Sequence, residues 1–108
     1  MLRLKSATDF ERVRRDGRSH AHPLAVLIAC MTNEPHTRWG FAAGRSVGTA
    51  VKRNRAKRLL REATRAQAAA AAPGWDLLFI ARAPLAEASL GDAREAVDQL
   101  LHRARVLN

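Results

Sequence analysis

The chain has 108 residues, with 19 Lys plus Arg against 10 Asp plus Glu, and a formal charge of +9. That length allows one domain around one core, read as residues 1–108, and 47% hydrophobic content excludes a wholly disordered basic tail. No apolar run approaches the ~20 residues of a membrane span, and Met1 to Lys5 is not followed by the apolar stretch of a signal peptide, so a cytoplasmic protein without membrane partners is expected.

Ser6 and Asp9 have the spacing of a helix N-terminal capping box, and Phe10 and Val13 follow at helical spacing before Gly17. A first helix is predicted from about Ala7 to Asp16. Arg18 to Ala21 can form a short strand. Leu24 to Met31 is a continuous apolar run of strand formers, followed by the turn-prone segment Thr32 to His36. Arg38 to Gly44 then reads as a strand pairing back on it in a hairpin. After the loop Gly44 to Gly48, strong helix formers run from about Thr49 without Pro or Gly until Pro73, and the alanines Ala68 to Ala72 read as the end of that helix. Trp75 to Ala81 reads as a buried strand. Ser89 and Asp92 repeat the capping-box spacing, and Ala93, Ala96, Val97, Leu100, Leu101 and Ala104 predict a last amphipathic helix ending near Arg105. The order predicts an α+β fold, a two-layer sandwich with helices packed on a small mixed sheet of about four strands.

The charge is concentrated. Residues 45–65 hold eight basic side chains and one acid, Glu62, for a local net charge of +7. On a helix, Ala56, Leu59, Leu60, Ala63, Ala66 and Ala70 form one stripe, whereas Asn54, Lys57, Arg58, Arg61 and Arg65 form the opposite one. A solvated, solubilising face would mix signs. Like charges on adjacent turns repel by a few tenths of a kcal/mol per pair, and a bound polyanion relieves this. Arg outnumbers Lys six to two across the segment, which suits bidentate phosphate contacts.

Other chemistries find little support. Gly44 and Gly48 are separated by three residues rather than the four of a phosphate-binding P-loop. His20 and His22 lack a third metal-ligand candidate, the single Cys30 lies in an apolar run, and nothing nominates a catalytic residue. DNA is not expected, because helix-turn-helix spacing and a coiled-coil dimerisation segment are missing.

The string from Gly48 to Glu62, with Lys52, Arg53-Asn54-Arg55, Lys57-Arg58 and Arg61, resembles the signature of the bacterial ribonuclease P protein family. Arg3-Leu4-Lys5, Asp9-Phe10, Trp39-Gly40-Phe41 and Phe79-Ile80-Ala81-Arg82 fall in the family's order and spacing. The resemblance implies a sandwich like domains of ribosomal proteins and elongation factor G, with a left-handed crossover around the basic helix. It implies a ribonucleoprotein subunit that assists endonucleolytic removal of the 5′ leader from precursor tRNA. The catalytic RNA would perform the hydrolysis and hold most of the Mg²⁺.

On that resemblance, Arg45, Lys52, Arg53, Asn54, Arg55, Lys57, Arg58, Arg61 and Arg65 would face the catalytic RNA. Phe10, Arg14 and Ile28 would line a cleft for the leader. The chain departs from the family pattern in having Arg14 and Ile28 where aromatics are common, and Arg45-Ser46 where a Lys-Lys pair is usual. Its cleft is therefore expected to rely more on charge than on stacking. The competing expectation is a non-catalytic RNA-binding or ribosome-associated protein of the same fold.

Overall fold

In the computed structural model, which describes residues 1–108, the three apolar segments form neighbouring strands of one sheet. In chain order the elements are β1 (Leu2–Arg3), α1 (Ala7–Asp16), β2 (Arg18–Ala21), β3 (Ala25–Met31), β4 (Arg38–Ala43), α2 (Ala50–Arg65), β5 (Trp75–Ala81) and α3 (Leu90–Arg103). Short 3-10 turns occupy Arg45–Val47, Ala68–Ala70 and Ala83–Glu87. The sheet order is β1-β4-β5-β3-β2, with β4 parallel to both β1 and β5 and the remaining pairs antiparallel.

The expected hairpin between Leu24–Met31 and Arg38–Gly44 does not form, because β5 lies between these strands. Leu77, Leu78 and Phe79 are fully buried on both faces of β5, which favours the centre of the sheet. Hydropathy alone does not reveal that choice of neighbour. Arg18–Ala21 pairs with β3 as the short strand, and β1 raises the count from about four to five.

α2 ends at Arg65 rather than continuing through the alanine run. The Ala72 N–H donates to the Val106 carbonyl at 2.9 Å, and the Thr37 hydroxyl donates to the Ala72 carbonyl at 2.6 Å. These tertiary bonds turn the chain toward β5 against the local helix preference of alanine.

Strand alternation divides the core. Leu27, Trp39, Phe41, Leu77 and Phe79 share the main cluster with Ala56, Leu60, Ala63, Val97, Leu100 and Leu101 from α2 and α3. Phe79 stacks between Trp39 and Phe41, with centroid distances of 6.3 and 6.2 Å. The opposite face forms a smaller cluster of Leu4, Val13, Ile28, Cys30 and Leu78. α1 packs there, adding a partial third layer to the expected two-layer sandwich. Gly17 permits this approach: a Cβ at that position would lie 2.5 Å from the Val13 carbonyl oxygen and 2.7 Å from Ile28 Cγ2.

Asp76 holds α1 to that face. Its side chain is buried, yet it accepts two hydrogen bonds from Arg38, at 2.9 and 2.8 Å, and another from Arg12 on α1. Asp9 closes the cluster through Arg12 at 3.3 Å and Arg38 at 3.6 Å. Hydrogen bonding to Arg12, and then to Ser6, holds the Asp9 carboxyl below its usual range. Hydrogen bonding to Asp76 raises the pKa of both arginines. Two carboxylates against two guanidiniums leave no net charge, and removing one member of such a buried pair typically costs about 3 to 5 kcal/mol.

His20 on β2 is partly buried, and that burial, followed by the charges of Arg18 and Arg103, pushes its pKa below the ordinary 6.5. The unfolded chain therefore takes up this proton more readily. The stability contribution is complete above the unfolded value and is lost as pH falls through the lower folded value. Thermal melting between pH 7 and 5 is expected to show a falling Tm in the native protein and a shallower fall in His20→Asn. Equal slopes would contradict this assignment.

Candidate nucleic-acid interface

Thr49 starts α2 by accepting a hydrogen bond from the Lys52 N–H at 3.3 Å. Ala56, Leu60, Ala63 and Thr64 are the buried face, fixed on the sheet and α3. This face forces the remaining positions outward. Arg53, Lys57 and Arg61, spaced by four residues, form a half-exposed flank, with Asn54, Arg58 and Arg65 exposed beside them. Arg45 is exposed in the preceding turn.

The basic residues are not equivalent. Arg65 pairs with Glu62 at 3.1 Å and Lys52 with Glu87 at 3.6 Å, both exposed contacts contributing little. Arg45, Arg53, Lys57, Arg58 and Arg61 have no acidic partner, so their charge is available to an external anion. Arg55 instead donates to the carbonyls of Ala86 and Ala88 at 2.8 and 3.2 Å. Its guanidinium fastens α2 to the segment leading into α3.

The opposite face of the sheet holds the other expected residues. Phe10 is half-buried and lies over Gly40, where a Cβ would approach its ring to 2.8 Å. Arg14 is exposed on α1, whereas Ile28 is 9% exposed beneath the α1 terminus. Ile28 therefore supports the surface more than it lines it. Val26, Ala42 and Ile80 are half-exposed and belong to the same face. Together with Phe10 and Arg14 they form an apolar floor with a basic edge. Their alternation is present in the sequence, but their convergence depends on the β4-β5-β3 register.

Asp76 carries no functional signature in the local sequence. The visible signal was a carboxylate beside the apolar run Leu77 to Ala81; its partners Arg12 and Arg38 lie far away in the chain. Arg3 stands 5.3 Å over the Phe41 ring, using its charge for a cation–π contact at the β1 edge. No helix is long and apolar enough to cross a membrane.

A family model described as Ribonuclease P matches residues 1–105. The ribonuclease P protein component of Herpetosiphon aurantiacus is 44% identical over 104 residues, covering 96% of this chain and 85% of the relative. That of Roseiflexus castenholzii is 42% identical over 106 residues, covering 97% and 87%. Among solved structures, the Staphylococcus aureus RNase P protein superposes with a TM-score of 0.88 at 28% identity, covering 100% of this chain and 99% of that one. The Thermotoga maritima RNase P protein gives 0.83 at 28% identity, covering 95% and 97%. The basic helix, the fold and these relatives agree: the chain belongs to the ribonuclease P protein family, the protein component of the RNA-containing enzyme that matures tRNA 5′ ends.

Proposed function

We propose that the chain uses two separate surfaces within the holoenzyme, α2 for the catalytic RNA and the α1–sheet cleft for the 5′ leader of precursor tRNA. The unpaired basic flank of α2 carries the first assignment. Arg53, Lys57 and Arg61 repeat at one-turn spacing with Arg58 and Asn54 beside them, so several phosphates can be engaged along one groove. Arg45 extends the surface, and Lys52 and Arg65 join after exchanging weak surface pairs for phosphate. Arg55 acts by positioning the helix.

The cleft assignment rests on the half-exposed Phe10, Val26, Ala42 and Ile80 beside Arg14. Apolar and aromatic surface accepts unstacked bases while a nearby arginine engages phosphate, a sequence-tolerant combination suited to variable leaders. Ile28 supports the floor.

The protein presents no ready-made cluster of carboxylates for Mg²⁺. No group of three His, Cys, Asp or Glu side chains is poised to hold a metal, and the one carboxylate on α2, Glu62, is paired with Arg65. We assign the Mg²⁺ and bond cleavage to the RNA. The protein's part is to neutralise phosphates and hold the leader, letting substrate and RNA-bound cations come together at lower Mg²⁺.

Reconstitution with the cognate RNA at low Mg²⁺ tests this reading. Precursor cleavage is expected to rise sharply when protein is added, with a larger gain for substrates bearing a leader. Unchanged cleavage would overturn it.

Within α2, Arg53→Ala and Arg58→Ala should each reduce the log–log salt slope for RNA binding by roughly 0.7 to 0.9 while preserving the fold. Arg55→Ala should lower Tm and leave that slope nearly unchanged. The reverse pattern in salt titrations and melting curves would contradict the division of roles.

A further inference from the structure

A second cluster of basic side chains lies away from α2. Arg18 at the start of β2 converges with Arg103 and Arg105 at the end of α3 on an open groove also bordered by His20. β2 pairs with β3 only as far as Ala29, leaving Cys30 and Met31 beyond its cover. Met31 is 75% exposed and faces Trp75, its half-buried neighbour on β5, giving the groove an apolar shelf.

Two of the three arginines are free for a ligand, and the third is engaged by backbone. Arg18 and Arg105 have no acidic partner, and Arg103 donates to the Ala21 carbonyl. Asp16, the acid lining the groove, is paired with Arg15 at 3.0 Å. Arg105 has a φ of 62° at a helix-ending position where glycine is usual. A helix C-terminus attracts cations, which accounts for a basic residue on α3 but not for the convergence of Arg18 from β2.

Guanidiniums around an apolar shelf match a single nucleic-acid strand, with phosphate on the arginines and a base against Met31 and Trp75. The route to this groove also favours the substrate strand. Arg14 in the last turn of α1, followed by Arg18 after Gly17, extends basic charge from the cleft toward the groove, while Arg15 is neutralised by Asp16. α2 packs over β4, three strand positions from β2 in the sheet.

We infer that the groove between the C-terminal ends of α1 and α3 binds the portion of the precursor's 5′ leader that extends beyond the cleft. This inference rests on the cleft being the leader path. The test uses holoenzyme reconstituted with native protein or the Arg18→Gln/Arg105→Gln variant, and precursors with no leader, a leader of about 5 nucleotides or one of about 16.

In the native holoenzyme, the longest leader should bind about tenfold more tightly than the short one. The double variant should lose that increment while retaining native affinity for the short leader. Absence of the increment in the native enzyme, its retention in the variant, or equal weakening on every substrate would overturn the inference. If instead the short leader gives native enzyme no advantage over the leaderless precursor, the cleft reading fails separately.

Discussion

The buried carboxylate of Asp76 is the constraint on which the second face of the molecule depends. A charge on the central strand requires compensation, supplied by Arg38 on the adjacent strand and Arg12 on α1. This requirement fixes α1 across one end of the sheet. Val13 and Phe10 then cover only part of the apolar surface, leaving Val26, Ala42 and Ile80 half-exposed. This half-exposed apolar surface is thus a consequence of where α1 is tied down.

The other face follows a different principle. α2 is held by apolar contacts with the sheet and α3 and by Arg55 bonding to backbone carbonyls. These restraints absorb its inward side and leave a like-charged flank outside. In the proposed reading, a phosphate backbone supplies the countercharge that the protein lacks there. The sheet separates this surface from the α1 face, so the two RNA segments proposed for them would not compete for the same side chains.

Much of this organisation was legible in the sequence. The capping residues Ser6 and Ser89 located two helix starts, and the imbalance around Arg53-Asn54-Arg55 marked the basic outer face of α2. Pairing was less legible: β3 and β4 are consecutive in the chain, but β5 enters between them through contacts much farther apart. The Asp76 cluster was hidden for the same reason, since Asp9, Arg12, Arg38 and Asp76 meet only after folding. Arg55 belongs to the basic motif by spacing, yet its guanidinium is committed within the protein. Local pattern identified the available chemistry; tertiary structure distributed it between internal fastening and external binding.

The most direct measurement of this dependence is leader-dependent binding by Arg12→Met holoenzyme, which loses the α1 contact to Asp76, compared with native enzyme below the variant's melting temperature. The substitution weakens the tether of α1 without altering the outer flank of α2. Affinity for the catalytic RNA should be retained while the advantage of a precursor with a leader over a leaderless one is largely lost. A full leader advantage in the variant, or an equal loss of catalytic-RNA binding, would contradict the account.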